Sequence, residues 1–138
     1  AGSQAVSIPI EPSPRMERGQ LVIESTLRLV GQDAAFAIGD ISHCPEQHWP
    51  ATAQVAMQQG AAVASALAAE RHGNPLQPFQ FVDRGEMLSL GLGDATLTGM
   101  GLTLSGPIAF QIRRATYLTR LPGASLGLRS AGAWLLGR

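Results

Sequence analysis

The chain has 138 residues, enough for a domain with a hydrophobic core, and 45% of them are apolar, as in an ordinary globular protein. Its formal net charge is zero, which argues against a nucleic-acid-binding protein. Cys44 is the only cysteine, so the chain has no internal disulfide and no C-x-x-C pair for dithiol redox chemistry.

The first part of the chain is predicted to contain short strands. Residues 1–16 hold three prolines and no sustained period, so they are predicted to be an extended, mobile segment. Strands are predicted over residues 21–29 and 34–38, with a turn at residues 31–33 between them. The second strand ends at Gly39-Asp40, which would place a carboxylate at the carboxyl end of a strand.

A polar loop is predicted over residues 41–49. It contains four residue types that can bind metal ions: His43, Cys44, Glu46 and His48. Their spacing lacks the close C-x₂-C or H-x₃-H pairs of zinc sites, so we predict no metal site. The sequence assigns no catalytic residue and leaves the role of Cys44 open. His48 and Trp49 directly precede the next helix, where they are candidates for lining a pocket.

A long alanine-rich helix is predicted over residues 50–72, opening at Pro50 and stopped by Gly73-Asn74-Pro75. One face consists of small or apolar residues, which predicts the close approach of another element: Ala53, Ala56, Gly60, Val63 and Leu67. A helix N-terminus offers free N–H groups and a partial positive charge. Together with Asp40, it suits a polar ligand that has an anionic or hydroxylated part.

The last part of the chain is predicted to be an antiparallel hairpin followed by two amphipathic helices. The strands span residues 79–90 and 95–104 and the helices residues 105–119 and 124–136. Three glycines are expected to mark bulges or close contacts: Gly85, Gly99 and Gly101. Ser105 is predicted to cap the first helix, whose apolar stripe is Ile108, Ile112, Ala115 and Leu118.

Charge divides the chain into an acidic and a basic part. Residues 1–94 hold all ten acids and five arginines, whereas residues 95–138 hold five arginines and no acid. No run of 18 apolar residues is present, so neither helix is predicted to span a bilayer. Their arginines and apolar residues instead predict that both helices lie on a membrane surface, with Trp134 and the leucines dipping in. The alternatives are a basic tail on an acidic partner domain, a helical pair that closes the hairpin, and a dimer contact.

Several motifs resemble one enzyme family. Ala37-Ile38-Gly39-Asp40 and the run from Pro50 to Gln58 resemble the second FAD-binding segment of the type II NAD(P)H:quinone oxidoreductases. Residues 17–21 resemble the strand entry of the same family, and residues 85–91, 94–97 and 113–118 resemble its cyanobacterial and plastid branch, which reduces phylloquinone-type naphthoquinones. The resemblance covers most of residues 17–138 and consists of separate motifs in the right order.

The resemblance implies where a flavin would be held. In the family the carboxylate that corresponds to Asp40, next to Gly39, holds the ribityl chain of FAD. Thr52 and Ala53, in the predicted first helical turn, would offer backbone N–H groups to the anionic edge of the reduced ring. These four residues are the predicted cofactor-binding residues.

The resemblance also implies a quinone site beside the flavin ring. Gln54 and Gln58 are spaced i, i+4 and therefore share one helix face. Spacing alone favours a solvated polar face, whereas the family's Ala-Gln-x-Ala-x-Gln pattern implies that both amides face the quinone. Glu86 is either a proton source near the quinone or a surface acid at a strand end.

The chain contains no G-x-G-x-x-G loop, whereas FAD and NAD(P)H each need such a loop in this family. The resemblance therefore implies the C-terminal portion of a flavoprotein with two dinucleotide-binding domains, and an α+β fold. Residues 17–76 would complete the FAD-binding domain, and residues 77–138 would form the membrane and quinone side. FAD would be shared with a missing N-terminal domain.

The implied activity is transfer of electrons from NAD(P)H through FAD to a membrane naphthoquinone or plastoquinone-type quinone, with the chain inactive by itself. The implied partners are the N-terminal FAD and NAD(P)H domains and a membrane surface bound through residues 105–138. A further copy of the chain is also expected, because the small-residue face of the long helix and the strand edge over residues 21–29 would lack their partner domain. The location would be peripheral, on the cytoplasmic or stromal face of the plasma or thylakoid membrane. The alternative is a non-catalytic interaction or membrane-docking module. The sequence leaves the choice between NADH and NADPH open.

Overall fold

The structure is a computed structural model that describes residue 6, residues 9–99 and residues 101–136. The chain forms two compact units, the first ending at Asp83 and the second beginning at Arg84. The described residues form three α-helices and two three-stranded sheets, which confirms the α+β class. The first unit extends past the predicted boundary at residue 76, because Phe79 is buried in its core and donates its N–H to Ser25 O at 2.8 Å.

The first unit is built around a small mixed sheet. It contains strands β1 (Met16–Glu17), β2 (Gln20–Val22) and β3 (Ser42–His43) in that spatial order. β1 is antiparallel to β2, whereas β3 is parallel to it. The buried apolar core of the unit lies beside this sheet and consists of Leu21, Ile23, Leu27, Leu29, Ala37, Cys44, Val55 and Phe79.

The strands predicted over residues 21–29 and 34–38 are wrong beyond Val22. Only two isolated bridges remain there, Ile23 with Leu29 and Arg28 with Phe36. The chain reverses at Leu27, which has a φ of 69° and donates its N–H to Glu24 O at 2.9 Å. The side chain of Leu27 is only 1% exposed. Apolar residues in this segment therefore reflect burial in a folded-back loop, not an extended strand.

Helix α1 (Ala53–Arg71) begins three residues after Pro50 rather than at it. Its N-cap is Thr52, whose Oγ1 accepts a hydrogen bond from Val55 N at 3.3 Å, because an extended threonine can satisfy an N–H that the helix leaves unpaired. The predicted stop is confirmed: Gly73, with a φ of 69°, donates to Glu70 O and Asn74 donates to Ala69 O. These two bonds form a Schellman motif.

The buried face of α1 is rotated relative to the predicted one. Val55 and Gln59, four residues apart, are the buried residues of the helix, whereas Ala53 and Leu67 are exposed. Gly60 was expected to serve close packing, but a Cβ added there would lie an ordinary 3.8 Å from Ile38 Cδ1. The helix therefore leaves an exposed apolar face that includes Ala53, Met57 and Ala61.

The second unit begins with an antiparallel meander, which confirms the predicted hairpin and adds a strand to it. The strands are β4 (Glu86–Gly91), β5 (Asp94–Gly99) and β6 (Leu102–Gly106). The predicted strand over residues 95–104 is in fact two strands, because the chain turns before Leu102 at Gly101, which has a φ of 76°. The predicted strand over residues 79–90 starts only at Glu86.

Helices α2 (Pro107–Leu118) and α3 (Ala124–Leu135) follow the meander, and α2 packs against β5 and β6. Ala95 and Ala109 are fully buried, and such small side chains permit a close approach of helix and sheet. Ser105 belongs to β6 and is not the cap; Gly106 is, with a φ of 91° that favours glycine. Of the predicted apolar stripe, Ile108 and Ile112 are exposed.

Candidate functional site

A small cavity of about 50 Å³ lies at the N-terminal end of α1. It brings together three of the four predicted cofactor-binding residues, Gly39, Asp40 and Thr52. The complete lining is Gln20, Gly39, Asp40, Ser42, Trp49, Pro50, Ala51, Thr52, Val55 and Gln59. The folded chain therefore assembles side chains from β2, β3, α1 and the segments that precede β3 and α1.

Gly39 has two local reasons to be a glycine. Its φ of 70° lies in the left-handed region that residues with a side chain rarely adopt. In addition, a Cβ at this position would lie 3.4 Å from Ala56 Cβ, so α1 approaches the backbone closely here. Gly39 N donates to Gln59 Oε1 at 2.7 Å, and Gly39 O accepts from Ser42 Oγ at 2.8 Å.

Asp40 does not lie at the end of a strand, as predicted, but within a short 3-10 turn, Gly39–Ile41, that precedes β3. The turn forms because β3 must run parallel to β2 and pair Ser42 with Leu21, so the chain has to change direction just before it. Gln20 supports the turn by donating from Nε2 to Asp40 O at 2.7 Å.

The Asp40 side chain is available to a ligand. The residue is exposed at the edge of the cavity. Within the part of the chain that the structure describes, its carboxylate has neither a hydrogen-bond donor nor a cation as partner. A carboxylate is an acceptor only, so this group is suited to a ligand that presents hydroxyl or N–H donors.

The start of α1 differs in detail from the sequence prediction. Thr52 N donates to Pro50 O at 2.8 Å, so the hydroxyl and not a spare N–H is what Thr52 presents near the cavity. Ala53 is the first residue of the helix and is exposed. Thr52, which caps α1, and Asp40 line the same cavity, so the positive end of the helix dipole lies near Asp40.

Gln54 and Gln58 do not line this cavity. The Gln58 amide instead holds the backbone of Val82 in two hydrogen bonds, with Nε2 donating to Val82 O at 2.9 Å and Oε1 accepting from Val82 N at 3.1 Å. This pair fixes the amide plane of Gln58. Each of its two polar atoms keeps capacity for one further hydrogen bond, because an amide has two N–H donors and two oxygen lone pairs.

Gln59 is the site residue that the sequence reasoning missed. It is 1% exposed and lines the cavity next to Gly39. A signal was present, since Gln59 lies four residues after Val55 and so belongs to the face that Val55 buries. The predicted apolar face started from Ala53 instead, and that face does not include Gln59.

The loop before α1 contributes one of its candidate residues. Trp49 lines the cavity and packs edge-to-face on Phe79, with ring centroids 5.1 Å apart, whereas His48 is exposed and outside the lining. Cys44 is buried in the core, and His43 Nε2 lies 3.7 Å from Glu17 Oε2. Among the described residues, no group of three or more potential ligands is arranged to hold a metal ion.

The second unit has a separate groove between α2 and α3, with a volume of about 530 Å³. Most of its lining is apolar: Gln111, Arg114, Ala115, Leu118, Ala131, Trp134 and Leu135. The Arg114 guanidinium lies over the Trp134 ring at 4.2 Å, a cation–π contact that joins the two helices. Glu86, the first residue of β4, is exposed in the same unit.

Comparison with known proteins gives three informative relatives, although no protein-family model matches the chain. The chain is 38% identical over 132 residues to the alternative NAD(P)H-ubiquinone oxidoreductase C1 of Arabidopsis thaliana. It is 38% identical over 133 residues to the demethylphylloquinone reductase NdbB of Synechocystis sp. and 36% identical over 113 residues to the type II NADH:quinone oxidoreductase of Staphylococcus aureus.

The three alignments differ in how much of each partner they include. They cover 88%, 88% and 79% of this chain, but 25%, 33% and 27% of the respective relatives. The chain thus spans a quarter to a third of the length of the curated relatives it matches.

Proposed function

Because the chain is homologous to a segment of the type II NAD(P)H:quinone oxidoreductases, we propose that it is the C-terminal part of such an enzyme. The proposed enzyme passes electrons from NAD(P)H through FAD to a membrane quinone. The observation that carries the proposal is the cavity in which Gly39 and Asp40 meet the start of α1. The residues there are suited to one side of a flavin site, and the other side would come from a dinucleotide-binding domain outside the chain.

The residues at the cavity fit the polar part of FAD. The exposed Asp40 carboxylate, without a partner among the described residues, can accept hydrogen bonds from ribityl hydroxyl groups. The N-terminus of α1 provides positive potential without a charged side chain, which favours a ring that gains negative charge on reduction. FAD, when bound, supplies the capacity to accept a hydride and to release electrons to the quinone. The chain's own residues bind and orient it.

Gln54 and Gln58 are the proposed quinone-binding residues. Gln58 is the better supported of the two by geometry, because the Val82 backbone holds its amide in a fixed orientation. A fixed amide loses less conformational entropy when it donates to a quinone carbonyl than a free one does. Gln54 lies one helical turn earlier on α1 and is half-buried.

The Gln54→Leu and Gln58→Leu variants are expected to raise the KM for quinone about tenfold and leave flavin reduction by NAD(P)H unchanged. The reason is that each removes an amide proposed to bind the quinone, although Gln58→Leu also removes the two hydrogen bonds to the Val82 backbone. Stopped-flow measurement of the two half-reactions tests this. Met57→Leu is the control, since Met57 is an exposed apolar residue of the same helix. A slower reductive half-reaction with unchanged quinone kinetics would place the two residues on the wrong side of the ring.

The second unit is proposed to bind the membrane surface. No helix among the described residues has the length and apolarity to cross a bilayer. The unit nevertheless exposes many large apolar side chains, including those of Leu92, Leu102, Leu128, Leu135 and Leu136. Residues 95–138 add five arginines and no acid. Exposed apolar groups with arginines around them are typical of peripheral binding to an anionic bilayer.

The affinity of the second unit for anionic vesicles is expected to depend on its arginines. The double variant Arg120→Gln, Arg129→Gln is expected to bind vesicles with anionic headgroups roughly thirtyfold more weakly, because each arginine near the surface contributes about 1 kcal/mol. Both residues are exposed in the second unit, and Arg71→Gln, an exposed arginine of α1, is the control. Co-sedimentation at low and high salt measures the effect. Equal binding by both variants, or binding that salt does not weaken, would contradict the proposed surface.

The proposal as a whole is tested on the natural protein that contains this chain. It is expected to purify with FAD and to reduce a naphthoquinone at the expense of NAD(P)H. The non-catalytic alternative predicts vesicle binding without flavin and without this activity. Produced alone, the chain is expected to hold no FAD tightly and to self-associate through the exposed face of α1, which includes Met57 and Leu67. A natural protein that binds no flavin would contradict the proposed function.

A further inference from the structure

Gln59 is the one polar residue that is fully buried within the described part of the chain. Its Oε1 accepts a hydrogen bond from the backbone N–H of Gly39 at 2.7 Å, across twenty residues of sequence. Burying an amide is costly unless it is hydrogen-bonded, so a glutamine at a core position of α1 needs a structural reason. The contact with Gly39 provides it.

Gly39 begins the turn that carries Asp40, and side chains from three elements fix the backbone of that turn. Gln59 of α1 binds the N–H of Gly39, Ser42 of β3 binds its carbonyl, and Gln20 of β2 binds the carbonyl of Asp40. All three side chains line the cavity. The Asp40 carboxylate has no partner of its own among the described residues, so its position depends on this backbone.

We propose that Gln59 is a positioning residue for the flavin site, which rests on the function proposed above. Its amide oxygen holds Gly39 in the left-handed conformation and thereby sets the distance between the Asp40 carboxylate and the start of α1. Without this acceptor, the Gly39 N–H would be unsatisfied beside the helix, and the turn would rearrange to find another partner. The class of ligand that depends on it is a flavin whose polyhydroxyl chain binds the carboxylate.

Gln59→Met and Gln59→Glu separate the hydrogen bond from the packing. Methionine has a similar length but offers no comparable acceptor, whereas glutamate keeps an oxygen at the same distance from the backbone. In the natural holoenzyme, the methionine variant is expected to bind FAD about tenfold more weakly, and the glutamate variant within about threefold of wild type. The dissociation constant for FAD and the visible spectrum of the bound flavin are the readouts.

Leu29→Ala is the matched control, because Leu29 is a buried core residue of the same unit that does not line the cavity. It should lower the melting temperature and leave the affinity of the folded protein for FAD unchanged. Wild-type affinity in Gln59→Met would overturn the inference, as would equal losses in the methionine and glutamate variants. Wild-type protein that binds no FAD would overturn the proposed function as well.

A measurement on wild-type protein covers the case in which Gln59→Met does not fold. The Gly39 amide is expected to exchange its hydrogen slowly with solvent, because its acceptor is a buried side chain in α1. Rapid exchange of this amide in the folded protein would show that Gln59 does not hold the turn and would overturn the inference.

Discussion

The Asp40→Ala variant of the natural protein is expected to lose most of its FAD during purification. A hydrogen bond to a charged group contributes about 1.5–3 kcal/mol, which corresponds to roughly ten- to a hundredfold in the dissociation constant. The fold should be unaffected, because the supporting hydrogen bond from Gln20 reaches the backbone carbonyl of residue 40, which alanine retains. Asp40 is also exposed, and exposed substitutions usually change stability by less than about 0.5 kcal/mol.

Flavin absorbance per chain, measured at equal protein concentration, tests this expectation. Asp33→Ala is the control, because Asp33 is an exposed carboxylate of the same unit that does not line the cavity. Its backbone carbonyl, which accepts a hydrogen bond from Arg28, is unchanged by the substitution. An Asp40→Ala protein that stays as yellow as the control would remove Asp40 from the flavin site.

The helices and the hairpin were predictable because their signals are local. Gly73-Asn74-Pro75 ends α1 through hydrogen bonds within a few residues, and the break before Ala124 separates α2 from α3 in the same way. The alternating patterns over residues 79–90 and 95–104 likewise predict the hairpin, although β4 starts only at Glu86. In each case the information and the structure lie within a few residues of each other.

The segment between Val22 and Gly39 could not be predicted in this way. Its apolar residues are buried by contacts with α1 and with Phe79, and burial alone does not distinguish an extended strand from a folded-back loop. The positive φ of Leu27 illustrates the point, since leucine carries no local preference for it. The buried face of α1 was missed for the same reason, because neighbouring elements decide which of two apolar faces is covered.

The candidate site likewise contains residues with local sequence signals and residues whose contacts are set by distant parts of the chain. Gly39, Asp40 and Thr52 were predicted from a family resemblance together with a strand-like run followed by a helix start, and the structure places all three at one cavity. The hydrogen bonds of Gln58 to Val82 and of Gln59 to Gly39 join positions far apart in sequence. Nothing within a few residues of either glutamine indicates its partner, so only the fold reveals which amide supports the backbone.

The Gly85→Ala variant is expected to disrupt the sheet of the second unit. Gly85 has a φ of 85°, and a Cβ there would lie 2.2 Å from Thr98 O and 2.8 Å from Gly99 Cα. Both atoms belong to the backbone of β5, and Thr98 pairs with Glu86 in the β4–β5 ladder, so neither can move without breaking that pairing. The strained backbone and the overlap together should cost more than about 3 kcal/mol.

Gly101→Ala is the control, because it imposes a similar backbone strain without the steric overlap expected at Gly85. Gly101 has a comparable φ of 76°, but a Cβ there would meet no atom within 4 Å, so this variant should lose only about 1 kcal/mol. Hydrogen exchange measured by mass spectrometry reports each unit separately. Gly85→Ala should speed exchange in β4 and β5 and leave α1 protected, because the overlap lies wholly within the second unit. Equal, small effects of the two variants would mean that the close backbone contact between Gly85 and Thr98 is absent in solution.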